Sequence, residues 1–272
     1  MQYKLDEKLY IDVNGDKQHI HIRSNVPKKE VLLFVHGGPG VCDRSWVMPG
    51  QSKYLADHCI MVCWDQRMAG KSYNGANKDK PITISDMVED MHAVVSYLQK
   101  RFNKEKIYVM GFSGGTRIAV NAVKKYPDLF YAYIGMAQVV TDSSERDLLM
   151  YDFMKSVFED RGDKSSLKKL EKSVHYENGT LCCNDWRQYV YLLHKAGGGT
   201  THNESELIGV DIPIILSHCY TIHEKFGYIR GLKMYRKTAF EIEGKGFDYR
   251  ESLNTFEIPV YFISGEYDYN CP

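Results

Sequence analysis

The chain has 272 residues, of which 43 % are apolar and 26 % charged, a composition typical of a globular protein that can bury a core. Basic and acidic residues number 35 each, so the charge balance argues against a nucleic-acid or membrane-surface partner. The polar N-terminus has no recognisable signal peptide, and the apolar runs are too short to span a bilayer. The seven cysteines form no C-x-x-C pair, so neither a zinc knuckle nor a disulfide framework is indicated, and we predict a reduced, cytoplasmic location.

The first elements in chain order are predicted strands. Two extended runs flank Asn14-Gly15, a dipeptide typical of a β-hairpin turn. Continuous apolar runs further along are typical of strands that are buried on both faces. These predicted strands are Glu30 to Val35, His58 to Asp65, Lys106 to Met110 and Tyr131 to Ala137.

Helical patterns lie between these strands. A first helix is predicted after Thr83, which forms a capping signal with Asp86. Apolar residues then recur at helical spacing, at Val88, Met91, Val95, Leu98 and Phe102. A second helix, "TRIAVNAVKKYP", is predicted to end at Pro127. Strands that alternate with helices predict an α/β fold with a mostly parallel sheet and flanking helices.

A change in composition divides the chain into three parts. Residues 1–139 form the first part of the α/β core, and residues 140–251 are rich in charged, helix-forming stretches. We interpret the middle part as a helical cap inserted over the functional edge of the sheet. Residues 252–272 return to the core pattern with "EIPVYFISGEYD".

A G-x-S-x-G match, Gly111 to Gly115, lies between a predicted strand and a predicted helix. A serine on so sharp a turn has strained backbone dihedrals, and the flanking glycines let the neighbouring backbones pass without Cβ clashes. The turn raises the hydroxyl of Ser113 above the sheet, where the helix N-terminus favours a developing oxyanion. We predict Ser113 as a nucleophile.

A second glycine-rich loop, "HGGPG" from His36 to Gly40, follows the strand that ends at Val35. Its N–H groups are able to point into a cleft, because glycines do not obstruct them, and such a loop commonly completes an oxyanion hole. His36 begins this loop rather than facing Ser113, so we predict a structural role for it.

Four motifs in order, "HGGPG", "WDQRMAGKS", "GFSGG" and "GEYD", resemble the α/β-hydrolase fold and, within it, the proline iminopeptidase-like serine peptidases. The resemblance implies Ser113 as nucleophile, the backbone amides of Gly38 and Gly114 as oxyanion hole, and Asp268 as the acid of a catalytic triad. It also implies acidic cap residues that bind the free amino terminus of a peptide. The candidates are Glu204, Glu206 and Glu224.

The chain departs from the family pattern at two positions. Met68 stands where the D-Q-R-G motif has glycine, and Gly114 follows the serine where iminopeptidases often carry tryptophan. Asp65 and Arg67 are expected to form a buried ion pair that fixes the loop after their strand.

The histidine expected of the triad is not apparent. The fold orders its triad as serine, acid, histidine, yet Tyr269 to Pro272 contain no histidine. Those after Ser113 all lie in the predicted cap: His175, His194, His202, His218 and His223. We therefore expect the sequence to be a C-terminally truncated fragment that lacks the final strand, the histidine loop and the closing helix, and to be a poor catalyst as given.

The favoured hypothesis is a serine hydrolase that cleaves an amide bond, an aminopeptidase of the proline iminopeptidase type that works through an acyl-enzyme without a cofactor or metal. An esterase or small-amide hydrolase with the same machinery is a second hypothesis, and a non-catalytic binding module without the base is a third. The expected partner is a small peptide, ester or amide substrate. The sequence does not indicate an oligomeric state.

Overall fold

A seven-stranded, mostly parallel sheet organises the protein. The structure is a computed structural model that describes residues 3–38, 40, 44–50, 52–141, 144–199, 202, 212, 216–226, 230 and 247–271. The strands are β1 Leu5–Val13, β2 Asp16–Ser24, β3 Val31–Val35, β4 Ile60–Asp65, β5 Ile107–Phe112, β6 Phe130–Met136, β7 Val174–Glu177, β8 Thr180–Cys183 and β9 Val260–Ile263. The helices are α1 Arg44–Val47, α2 Ser52–Leu55, α3 Ile84–Phe102, α4 Gly114–Lys125, α5 Ser144–Asp160, α6 Lys164–Lys172, α7 Trp186–Ala196 and α8 Tyr249–Ser252.

The order of strands across the main sheet is β1-β2-β4-β3-β5-β6-β9. The predicted hairpin joins β1 and β2 antiparallel, and Asn14 and Gly15 both have positive φ, 47° and 83°, as a type I′ turn requires. β2 also pairs antiparallel with β4. The remaining pairs of this sheet, β4–β3, β3–β5, β5–β6 and β6–β9, are parallel. The predicted α/β sheet is therefore confirmed.

Both faces of the central strands are buried. Every residue of β3 and β4 is buried, which explains why these strands appear in the sequence as unbroken apolar runs. One face packs on α3 and α4 in the largest apolar cluster of the protein, and the other packs near α1 with Val47 and Met48.

Helix α3 begins as the sequence predicts. The Thr83 hydroxyl accepts the N–H of Asp86, and the Asp86 carboxylate accepts the N–H of Thr83. The four apolar residues from Val88 to Leu98 that fall at helical spacing are buried, and Phe102 packs partly buried against the same cluster. Helix α4 ends at Lys125, two residues before Pro127.

The segment predicted as the cap has an apolar cluster of its own. Helices α5, α6 and α7 and the β7–β8 hairpin enclose it, and its members include Met150, Met154, Phe158 and Tyr189. The hairpin was not foreseen, although Asn178-Gly179 carries the same turn signal as Asn14-Gly15. The domain boundaries at residues 139 and 251 stay a prediction.

Strand β9 is the outer strand of the sheet next to β6. Its side chains Tyr261, Phe262 and Ile263 are 50 to 59 % exposed. The absence of a final strand, a histidine loop and a closing helix stays a prediction. Within the described part of the chain, no helix combines the length and the apolar character needed to cross a bilayer.

Candidate active site

Ser113 lies on a sharp turn between β5 and α4. Its backbone has φ 48° and ψ −126°, a conformation that a residue with a Cβ adopts only at a cost of about 1–3 kcal/mol. The turn is fixed on both sides, because the N–H of Ser113 donates to the Met136 carbonyl at 2.9 Å and its own carbonyl accepts the N–H of Thr116 at 2.9 Å. The Thr116 hydroxyl donates to the same carbonyl at 2.5 Å. The strained elbow predicted for Ser113 is present.

Glycines allow the elbow to pack directly on neighbouring backbone. A Cβ added at Gly111 would lie 2.9 Å from the Cα of Thr116, and one at Gly115 would lie 2.8 Å from the carbonyl carbon of His36. A Cβ at Gly114 would lie 2.8 Å from the carbonyl carbon of Gly38 and would overlap its oxygen. These separations are shorter than real Cβ contacts, so the two glycine-rich turns are in backbone contact.

That contact brings the two predicted oxyanion-hole residues, Gly38 and Gly114, against each other. Gly37, one residue earlier in the loop, lies close to Ser113, since a Cβ added there would be 3.2 Å from the Cβ of that serine. The role of Gly38 and Gly114 as amide donors to an oxyanion stays a prediction.

His36 holds the glycine-rich loop. Its Nε2 accepts the backbone N–H of Gln66 at 3.1 Å, which places the ring proton on Nδ1, 2.8 Å from the carbonyl of Gly37. Gln66 also donates from its side chain to the His36 carbonyl at 2.8 Å. Burial lowers the pKa of His36, so the ring is neutral. These contacts agree with the structural role predicted for His36.

Asp268 lies in a turn that follows β9. Its Oδ1 accepts the N–H groups of Asn270 at 3.1 Å and Cys271 at 3.0 Å. Burial raises the pKa of the carboxyl, although these two donors oppose the shift. The turn brings Cys271 to the predicted nucleophile: its Sγ is 3.8 Å from the Ser113 Oγ. The structure thus brings the segment of Asp268 close to Ser113. The sequence predicted this proximity only through its resemblance to the α/β-hydrolase family.

Cys271 was missed by sequence reasoning. Burial raises the pKa of its thiol to about 12, and the nearby Asp268 carboxylate acts in the same direction. The thiol therefore stays protonated at neutral pH and is not a proton acceptor for Ser113. No sequence signal distinguishes it from the other cysteines.

Of the three acidic residues predicted to bind the substrate, Glu224 is the one that lies in the described part of the chain. Glu204 and Glu206 lie outside the described residues. Glu224 accepts the backbone N–H of Thr221 at 2.8 Å and forms an ion pair with Lys71 at 3.0 Å. Burial favours the neutral form of Glu224, but these two partners lower its pKa on balance. Its role in holding a substrate ammonium stays a prediction.

The expected ion pair between Asp65 and Arg67 is wrong. Arg67 points instead to Asp90 on α3, with two hydrogen bonds of 2.6 and 2.7 Å. Asp65 pairs with Arg44 at 3.3 Å and accepts the Tyr220 hydroxyl at 3.0 Å. Asp65 is the last residue of β4 and Arg67 lies in the turn that follows it, so the alternation of side chains along a strand does not extend to Arg67 and proximity in sequence did not identify the partners.

The histidines after Ser113 are distributed over the segment predicted as the cap. His175, His218 and His223 are exposed, and His194 is buried on α7. His202 stacks on Tyr267, with ring centroids 3.9 Å apart, and its Nδ1 lies 2.9 Å from the Gly197 carbonyl. In the described part of the chain, no histidine hydrogen-bonds to the Ser113 hydroxyl.

The fold and the serine elbow define a class of protein, and comparison with known proteins agrees with it. Residues 30–188 match the alpha/beta hydrolase fold family, which is more than half of the chain. The chain belongs to this family. The match includes the glycine-rich loop and the elbow of Ser113.

Two relatives have names that concern peptides. The chain is 28 % identical over 268 residues to a protein of Bacillus subtilis (strain 168) named probable aminopeptidase YbaC, and the match covers 96 % of this chain and 81 % of the relative. It is 26 % identical over 130 residues to a putative proline iminopeptidase of Mycoplasma genitalium, with 47 % of this chain and 39 % of that protein covered.

Solved structures show the same fold. MGS-M2, an alpha/beta hydrolase from a deep-sea metagenome library of the Medee basin, superposes with a TM-score of 0.57 at 15 % identity, over 97 % of this chain and 81 % of that one. The epoxide hydrolase VrEH1 of Vigna radiata gives a TM-score of 0.56 at 17 % identity, over 99 % and 82 %. Identities this low show the fold alone.

Proposed function

We propose that the protein is a serine hydrolase that cleaves amide bonds, and specifically an aminopeptidase of the proline iminopeptidase type that releases N-terminal residues. The observation that carries the proposal is the strained Ser113, with φ 48°, on a turn in backbone contact with His36 and Gly38 of the glycine-rich loop. Strain of this kind persists only where the surroundings hold it, and it clusters at functional sites. The name of the Bacillus relative, a probable aminopeptidase, supports the peptide substrate.

In the proposed reaction, the Ser113 oxygen attacks the substrate carbonyl carbon and gives up its proton to a base. The backbone N–H groups of Gly38 and Gly114 stabilise the tetrahedral oxyanion. Collapse of this intermediate breaks the C–N bond, the amine leaves with a proton, and an acyl-enzyme on Ser113 remains. Water then hydrolyses the ester and restores the hydroxyl. Asp268 is proposed as the acid that orients the base, and the base itself is not assigned among the described residues.

The cap is proposed to hold the substrate, with carboxylates that bind its ammonium group. Glu224 takes this part only if a substrate ammonium displaces Lys71, whose amine lies 3.0 Å away. An esterase on the same machinery is the second candidate, because the elbow and the loop serve any acyl transfer. A binding module without catalysis is the third.

A fluorophosphonate probe tests the nucleophile. It forms a covalent phosphonyl ester with an activated serine, so the wild-type protein is expected to label and Ser113→Ala is not. Cys271→Ser is the matched control, since this residue contacts the same hydroxyl at 3.8 Å. It is expected to label normally. Labelling of Ser113→Ala at the wild-type rate would contradict the assignment.

Turnover separates the candidate substrates. We expect aminoacyl-arylamides, and prolyl-arylamide above all, to be hydrolysed faster than short acyl esters, with a loss of at least about 10³-fold in kcat for Ser113→Ala. Faster ester turnover would favour the esterase. A protein that neither labels nor turns over either substrate would favour the binding module.

A further inference from the structure

The outer face of the β7–β8 hairpin carries three different metal-binding side chains. Asn178 and Gly179, with φ of 50° and 79°, form a two-residue type I′ turn that fixes the register of the two strands. In this register His175 lies directly opposite Cys182. Glu177 is two residues after His175 and therefore projects from the same face.

The ligand atoms of these residues are already close together. One nitrogen of His175, one carboxylate oxygen of Glu177 and the Sγ of Cys182 all lie within 4.8 Å of one another. Tetrahedral zinc with ordinary bond lengths separates its ligand atoms by about 3.3–3.8 Å, so small side-chain rotations bring the three to a common ion. His175 and Glu177 are exposed and Cys182 is half-buried, which leaves the cluster open to solvent ions.

The opposite face of the hairpin serves the fold. Val174 and Leu181 are buried in the apolar cluster of the cap, and Cys183 packs against it. The three ligand residues are not needed for this packing. They lie on the face of the hairpin that is turned away from this cluster.

We propose that His175, Glu177 and Cys182 form a zinc site with a fourth position open to water. Thiolate, imidazole and carboxylate together are a donor set that suits zinc, whereas magnesium and calcium prefer oxygen ligands alone. The Sγ of Cys182 donates to the Thr180 carbonyl oxygen, 3.7 Å away. When zinc binds, it replaces the thiol proton, which is released to solvent. The ion links β7 to β8 across a two-stranded hairpin, an element that is marginal alone.

Titration of the full chain with zinc chloride alone tests the site. We expect one ion bound per chain, release of a proton, and a higher melting temperature in zinc. His175→Gln and Cys182→Ser are each expected to weaken binding by more than about tenfold, the lower end of what even outer-shell changes cost. Cys183→Ser is the matched control, because the neighbouring thiol projects from the other face of the hairpin.

Cobalt reports on the ligands directly. The protein with Co²⁺ is expected to show a thiolate-to-metal charge-transfer band that is lost in Cys182→Ser and kept in Cys183→Ser. Circular dichroism of the metal-free variants checks that they are folded, and Glu177→Gln gives a second, milder change at the same site. Zinc affinity that is the same in wild type, His175→Gln and Cys182→Ser would overturn the proposal, as would a band that survives Cys182→Ser.

Discussion

At the scale of single residues, the site depends on positions where the backbone has no room for a side chain. Gly114 is the clearest case, because the Gly38 carbonyl occupies the space where its Cβ would be. At this position the chain departs from the iminopeptidase pattern, in which a tryptophan often follows the serine. A side chain at 114 requires a different path for the loop that begins at His36.

Gly114→Ala is therefore expected to be disruptive. The new methyl forces the loop and the elbow apart, which we expect to cost about 1–3 kcal/mol of stability, as overpacking does, and to abolish labelling of Ser113. The measurement is urea denaturation together with the fluorophosphonate assay. Gly75→Ala is the matched control, since a Cβ there has its nearest neighbour 3.9 Å away. A fully active Gly114→Ala would show that the two turns are not in contact.

Met68 is a second position at which the chain departs from the family motif, and the departure has a structural consequence. It has φ 59°, in the left-handed region, at the position where the family motif has glycine. The side chain is fully buried in the main apolar cluster. Burial of a methionine side chain contributes about 1.5–3 kcal/mol, which offsets the backbone cost of about 1–2 kcal/mol.

At the scale of elements, strand β2 carries two buried histidines on one face. His19 lies 3.6 Å from Asp65, and His21 lies 2.6 Å from Asp6. Burial lowers the pKa of each ring to about 4, although the nearby carboxylates oppose the shift. Both rings are therefore neutral in the folded protein well below the pH at which a free histidine takes up a proton.

These histidines are expected to make stability depend on pH. Between about pH 6.5 and pH 4 the unfolded chain binds protons that the folded chain does not, so stability falls as the pH falls through this range. The loss is up to ~3 kcal/mol per histidine, and it ends below the folded pKa. Urea denaturation at several pH values measures it.

Substitution identifies the source of the slope. His19→Gln and His21→Gln are each expected to flatten the dependence of unfolding free energy on pH, whereas His58→Gln, at an exposed position, is not. An unchanged slope in the double variant would mean that other groups carry the acid sensitivity.

At the scale of the whole molecule, a buried cluster joins the segment 217–226 to the core. The Tyr220 hydroxyl donates to Asp65 at 3.0 Å and accepts from Arg44 Nε at 3.3 Å, while the Arg44 guanidinium lies 4.3 Å above the Tyr220 ring. Arg44 also donates to the Cys219 carbonyl at 2.9 Å. All three side chains are almost fully buried, so the cluster holds the segment on the core.

Tyr220→Phe removes the hydroxyl and leaves the ring. We expect a loss of about 1–3 kcal/mol in stability, because a buried charged group loses a hydrogen-bond partner. Faster proteolysis within residues 217–226 is expected too, since the segment opens more often. Tyr191→Phe, at an exposed position, is the control and should match wild type in both measurements. Equal proteolysis of Tyr220→Phe and wild type would mean that other contacts hold the segment.

Much of the core was predictable, because its signals are local. The Asn14-Gly15 turn, the capping box of Thr83 and Asp86 and the unbroken apolar strands each depend on neighbouring residues, and each is found where predicted. The β7–β8 hairpin had an equally local signal at Asn178-Gly179 and was overlooked within a segment dominated by helical composition. The expected inactivity of the chain has no support in the comparisons and stays a prediction.

The sequence by itself determined the fold class, the elbow of Ser113 and the glycine-rich loop, since strand periodicity and glycine spacing are properties of short stretches. Only the tertiary structure decided which distant groups meet: Arg67 with Asp90, Arg44 with Asp65 and Tyr220, Cys271 with Ser113, and the three metal-binding side chains of the hairpin. Such partners depend on strand order, register and the direction in which each chain segment leaves the sheet. Those are set by packing of the whole chain and are not written in any one stretch of it.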